Sequence, residues 1–69
     1  FTENTSYEKL LGYILELPEI YRDVLYLNLV YDYQFNEIAN LLGISAENAR
    51  KRAQRGKRIL QEKINEELI

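Results

Sequence analysis

The sequence predicts an all-α fold of four helices, and three observations carry that prediction. Apolar residues recur at three- and four-residue spacing along most of the chain, as they do in helices with one buried face. Helix punctuation bounds the segments that carry this spacing: Pro18 at one boundary, Gly43 at another, and Ser45 just beyond it. Finally, 69 residues leave room for a single core, so a lone strand would find nothing to pair with.

The first helix is expected over about 6–17 from this spacing. Thr5-Ser6-Tyr7-Glu8 fits a capping box, in which the Thr5 hydroxyl accepts from the Glu8 backbone N–H while the Glu8 carboxylate reaches back. Tyr7, Leu10, Leu11, Ile14, Leu15 and Leu17 follow at helical intervals. Pro18 ends this helix and opens the second, because proline at a first helical position gives up an N–H that has no partner there. Glu19 and Asp23 then lie in early turns, against the positive end of the helix dipole.

The second helix, about 18–31, is the ambiguous one, since Leu25-Tyr26-Leu27-Asn28-Leu29-Val30-Tyr31 alternates like a strand and is rich in strand-favouring residues. Ile20, Tyr21, Val24, Leu25, Leu27 and Leu29 nevertheless fill a broad helical face, which favours the helix. The third helix, about 35–42, opens on the box-like turn Gln34-Phe35-Asn36-Glu37 and carries Ile38, Ala39, Leu41 and Leu42 at core spacing. Gly43 supplies a left-handed residue to end it, Ile44 follows as a buried plug, and Ser45 caps the last helix. That helix is long, about 46–67, with Ala49, Ala53, Gly56, Leu60 and Ile64 facing inward. Glycine inside a helix costs ~1 kcal/mol relative to alanine. Close packing against another helix and simple tolerance both account for Gly56.

Composition narrows the chemistry. With no cysteine and no histidine, the chain has no disulfide, none of the usual zinc or haem ligands, no thiol nucleophile and not the commonest general base. No cofactor, no enzymatic activity and no small-molecule substrate are expected, because so short a chain can hardly enclose a substrate-sized pocket. Glu16, Glu19 and Asp23 read as solvated helix acids rather than a catalytic cluster. The six tyrosines read as core packing with their hydroxyls at the rim. No apolar run approaches ~20 residues and no signal peptide opens the chain, so no membrane association is expected. Methionine is absent and the chain begins at Phe1, as expected of a piece of a longer protein.

The net charge of −2 conceals a strong polarity. Residues 1–47 hold eight acids against the two bases Lys9 and Arg22, for a net −6. Residues 48–61 hold six bases (Arg50, Lys51, Arg52, Arg55, Lys57 and Arg58) and no acid, for a net +6. A partner touching one face feels the local field over a Debye length of ~8–10 Å, not the average. A solvated helix face is the plain explanation of any charge run. Six bases in nine residues without an interleaved acid point instead to a polyanion.

A short helix, a glycine-containing turn and a second helix form the unit that places a recognition helix in the DNA major groove. The complete expectation is therefore a four-helix, wingless helix-turn-helix domain ending in a long recognition helix. If Ala49 and Ala53 face inward, Arg50, Lys51, Gln54, Arg55, Lys57 and Arg58 occupy the outer and flanking faces. Arginine forks onto guanine, glutamine pairs with adenine, and lysines serve phosphates. Asn48, near the helix start, suits a phosphate contact.

Three blocks carry a family resemblance: Leu17-Pro18-Glu19-x-x-Arg22-x-Val24-Leu25-x-Leu27, Phe35-Asn36-Glu37-Ile38-Ala39-x-x-Leu42-Gly43-Ile44-Ser45, and Ala49-Arg50-Lys51-Arg52-x-x-Arg55-Gly56-Lys57-x-x-Leu60. In order and spacing they resemble region 4 of bacterial sigma-70 family factors, with the extracytoplasmic-function group closest. The resemblance covers about residues 7–64. It implies a domain that recognises the −35 promoter element through its last helix, docks on the flap of the RNA polymerase β subunit, and is often masked by an anti-sigma protein. It also implies a place in the bacterial cytoplasm, at the nucleoid.

Carried across, the family's DNA-facing positions fall on Asn48, Arg50, Lys51, Gln54 and Arg55, with Lys57 and Arg58 on the DNA backbone. Arg52 matches a family arginine and serves either a phosphate or an internal ion pair. The chain departs from the pattern with Asn48-Ala49 for Thr-Val, Ala53 for a larger apolar residue, Gly56 for Ala, and Gln34 for a Ser cap. These changes predict a thinner core around the reading helix. Two other readings stay open: a protein-interaction module whose basic helix meets an acidic partner, and a response-regulator type of helix-turn-helix. The second usually carries a histidine and an apolar stripe where this chain has Arg52-Ala53-Gln54-Arg55-Gly56-Lys57.

Overall fold

The structure, a computed structural model, describes residues 3–68. Four helices follow one another: α1 (Glu3–Leu15), α2 (Glu19–Leu29), α3 (Phe35–Leu42) and α4 (Ala46–Leu68). The strand alternative for the second segment is ruled out, since residues 19–29 are helical throughout.

The element ends differ from expectation where local backbone chemistry decides them. α1 begins at Glu3, so Thr5 and Glu8 lie within the helix and not at its cap; the Thr5 side chain lies outside the described residues. At the other end α1 closes two residues early, because a residue before proline disfavours the α conformation. The chain tightens into a three-residue turn there: Glu16 N–H is shared by the Gly12 and Tyr13 carbonyls, both at 3.2 Å, and Leu17 N–H reaches the Ile14 carbonyl at 3.1 Å. Pro18 is the N-cap of α2 rather than its first helical residue, and its extended ψ of 147° marks the corner.

α2 stops at Leu29, two residues short of expectation. Asp32, at φ 61°, reverses the chain in the left-handed region. Two bonds tie this loop back onto the helix: Tyr33 N–H to the Leu27 carbonyl at 3.1 Å, and the Asn28 amide to the Tyr33 carbonyl at 2.9 Å. The α3–α4 corner follows the sequence closely. Gln34 N–H donates to Glu37 Oε1 at 2.8 Å, opening α3. Gly43, at φ 70°, closes it, and Ile44 N–H reaches back to the Ala39 carbonyl at 3.0 Å. Ser45 Oγ then accepts from Asn48 N–H at 3.0 Å, capping α4.

Ile14, Leu17, Val24, Leu25, Ile38, Ala49, Ala53 and Leu60 form one core drawn from all four helices. Ile44 and Ile64 pack against it half-buried. Not every apolar residue at core spacing goes inside. Leu15 (56% exposed), Ile20 (50%) and Leu41 (60%) stay largely in solvent, as do Tyr7 and Leu29, because so small a core cannot cover them all. The tyrosines divide likewise. Tyr13, Tyr21 and Tyr26 line the core rim, whereas Tyr31 and Tyr33 are exposed and stack with ring centroids 6.1 Å apart.

Gly56 resolves in favour of close packing. A Cβ placed on it would stand 2.7 Å from Leu25 Cδ1 and 3.2 Å from Tyr21 Cβ. The small residues of α4 therefore bring it tightly onto α2, where the sequence predicted a thinner core. Gly56→Ala sets a helix-propensity gain of about 1 kcal/mol against overpacking of about 1–3 kcal/mol. Leu25 is fully buried and has little room to move, so overpacking wins. The expected outcome is a thermal midpoint lower by about 5 °C, read by circular dichroism; a higher midpoint would show that α4 has room to shift.

Beyond the core, α4 runs on along α1, with Lys63 Nζ 3.3 Å from Glu16 Oε1. The Tyr13 phenol there is raised above its ordinary 10.0, first by partial burial, then by a hydrogen bond to Glu67 and the charges of Glu67 and Glu16. A proton held more tightly in the folded chain stabilises it below the unfolded tyrosine value, and that contribution is lost as pH rises through the raised one. Thermal melts from about pH 8 to about pH 11 should show a smaller alkaline loss for Tyr13→Phe than for the parent chain; equal losses would remove Tyr13 from the titration.

Candidate nucleic-acid interface

The inward stripe of α4 (Ala49, Ala53, Gly56 and Leu60) is buried. At 3.6 residues per turn, that stripe leaves the opposite face to everything between. Asn48, Arg50, Lys51, Gln54, Arg55, Lys57 and Arg58 are all exposed there, and Arg52 is half-buried at the edge. The structure thus brings all eight sequence-predicted residues onto the outer and flanking surface of one helix. None is turned into the core.

Two open grooves flank this face and give it a finer order. One runs between α4 and the first turn of α2, lined by Ile20 and Tyr21 on one side and by Arg52, Arg55 and Arg58 on the other. The second runs on the α3 side, where Phe35 meets Glu47, Arg50 and Lys57. Lys51 and Gln54 line both grooves and form the crest between them.

Electrostatically the face is almost uncompensated. Lys51 pairs with Glu47 one turn earlier, at 3.6 Å, with both side chains well exposed. Among the described residues Arg50, Arg52, Arg55, Lys57 and Arg58 have no ion-pair partner, whereas Arg22 and Lys63 are paired with Asp23 and Glu16 on other surfaces. Arg52, expected to serve either a phosphate or an internal ion pair, has no acidic partner within ion-pair distance among the described residues. Guanidinium and ammonium groups so arranged offer many donors and no acceptor, the chemistry that suits a run of phosphates.

Sequence reasoning missed two features of this surface. Glu47 was counted with the acidic body, although its spacing from Lys51 already placed it on the basic face. Tyr21 packs against the core as its spacing predicts while Ile20 does not, and the place of both beside the arginines depends on how α2 crosses α4, which no local pattern encodes.

A short capped helix, a left-handed glycine corner and a longer helix with a cationic outer face define a helix-turn-helix DNA-binding domain. The family model described as "Sigma-70, region 4" matches residues 7–60, and the chain belongs to that family. Region 4 is the sigma-factor domain that binds the −35 promoter element and works with RNA polymerase in transcription initiation. No curated protein and no solved structure gave a significant match.

Removing the one acid on this face is informative. Glu47→Gln should leave stability within about 0.5 kcal/mol, since an exposed i,i+4 pair contributes little. The same change should raise affinity for duplex DNA of any sequence about threefold at low salt, by freeing Lys51 and strengthening the local field. Fluorescence anisotropy checks this, and unchanged affinity would count against a DNA-facing Glu47.

Proposed function

We propose that the outer face of α4 enters the major groove of a −35-type promoter element, with the work divided along its crest and flanks. Lys51, Gln54 and Arg55 reach base edges, with Arg55 forking onto guanine and Gln54 onto adenine. Arg50, Arg52, Lys57 and Arg58 hold phosphates, and Asn48 adds a phosphate contact at the helix start. The observation that carries this reading is the exposed cationic face lying opposite the buried stripe of the second helix of the unit, on which Lys51 alone has an ion-pair partner among the described residues. The group we assign is the extracytoplasmic-function sigma factors, acting at the bacterial nucleoid in the cytoplasm.

A second surface supports polymerase docking. Leu15, Tyr26, Leu27 and Leu42 line an apolar groove flanked by the Arg22–Asp23 pair. It is built from α1, α2 and α3 alone, so an occupant there leaves α4 free for DNA. We assign it to the flap of the polymerase β subunit, and an anti-sigma protein covering the same groove would compete for it.

Binding to a −35-like duplex should weaken with salt at a log–log slope of about −4 to −6, from about five to seven neutralised phosphates. Arg55→Ala should lose discrimination between duplexes, whereas Lys57→Ala should weaken all of them alike. A flat salt response would favour an acidic protein partner instead, and equal losses across all sequences for both variants would overturn the division of labour.

A further inference from the structure

We infer that the first turn of α2 is part of the DNA interface: Tyr21, with Arg52 and Arg58 across the groove, forms the seat of one phosphodiester strand. The inference rests on the DNA reading above and extends it to an element outside the helix-turn-helix unit. It starts from an asymmetry between the two flanks of α4. The α2-side groove takes Lys51, Arg52, Arg55 and Arg58 with no carboxylate among its lining residues. The α3-side groove takes Arg50, Lys51 and Lys57 and also holds Glu47. A helix lying in a major groove ~12 Å wide presents its two flanks to the two strands. The strand on the α2 side therefore meets the stronger field.

The far wall of that groove is suited to the same occupant. Tyr21 is held at the α2–α4 crossing, its Cβ 3.2 Å from the position of a Cβ on Gly56, and its side chain is half-buried along the groove. A phenol beside unpaired guanidiniums adds a neutral donor for a phosphate oxygen. Ile20, half exposed at the same wall, offers apolar surface for the deoxyribose between phosphates. A tyrosine whose Cβ is held at a helix crossing is an economical contact, because few of its torsions remain to be frozen on binding.

The test uses Tyr21→Phe, which keeps the close approach of the residue 21 Cβ to Gly56 and removes only the hydroxyl, together with duplexes carrying neutral methylphosphonate links on one strand or the other. Folding of the variant is checked by its thermal midpoint. Three results are expected. In the parent chain, neutralising one strand weakens binding more than neutralising the other. Tyr21→Phe weakens binding to every unmodified duplex about tenfold, the size of a lost hydrogen bond to a charged group, without altering the salt slope. On the duplex whose more sensitive strand is neutralised, Tyr21→Phe loses little more than the parent chain does. Parent-like affinity of a folded Tyr21→Phe, or an undiminished loss on that neutralised duplex, overturns the inference while leaving α4 as the reading helix. Failure of the parent chain to bind any duplex overturns both.

Discussion

The inward stripe of α4 is the constraint on which the rest depends. Ala49, Ala53, Gly56 and Leu60 are spaced four, three and four residues apart, so they lie in one line along a straight helix. Burying that line against α2 and α3 orients α4 about its own axis and decides which side chains face water. The residues on the stripe are small where the helix crosses its neighbours and large beyond, so the first half of α4 lies deep in the body while its charged face stands clear. The corner at Gly43–Ser45 sets where the helix starts, and the stripe sets how it is turned.

That orientation carries an electrostatic penalty in the free domain. Lys51, Arg52 and Arg58 each stand three or four residues from Arg55, and like-charge neighbours at this spacing destabilise a helix by about 0.2–0.5 kcal/mol a pair. Glu47 offsets part of this for Lys51 at an exposed distance of 3.6 Å. Such a face is poorly satisfied without anions, and a phosphate chain relieves the same repulsions that its charges then exploit. The apolar groove lined by Leu15, Tyr26, Leu27 and Leu42 stands apart from this conflict, because no residue of α4 lines it.

The fold was legible where one residue type dictates one backbone state. Pro18, Gly43 and Ser45 each mark a boundary within a residue of where it falls, and α3 has the limits its pattern implies. Helix ends set by fraying or tightening were less legible: Thr5 is a competent cap that the helix simply runs past, and Leu17 is pulled out of α1 by the proline behind it. Burial was legible for α4, whose stripe has no competitor, and less so for Leu15, Ile20 and Leu41, which share core spacing with residues better placed to be covered. In the site, the charges and their face could be read from spacing alone. The second wall at Ile20 and Tyr21 could not, since a crossing between α2 and α4 joins residues more than thirty positions apart in the chain.

The contact between Gly56 and Leu25 has an evolutionary corollary. Two positions so close that one lacks a side chain because the other fills the space are bound to vary together. A relative with alanine at the first must trim the second or let its two helices drift apart, and drifting apart widens the channel that Tyr21 and Arg52 share. Side-chain volume at one hidden glycine thereby becomes a dial on the width of an outer, charge-lined channel, adjusted without touching a single residue that meets solvent.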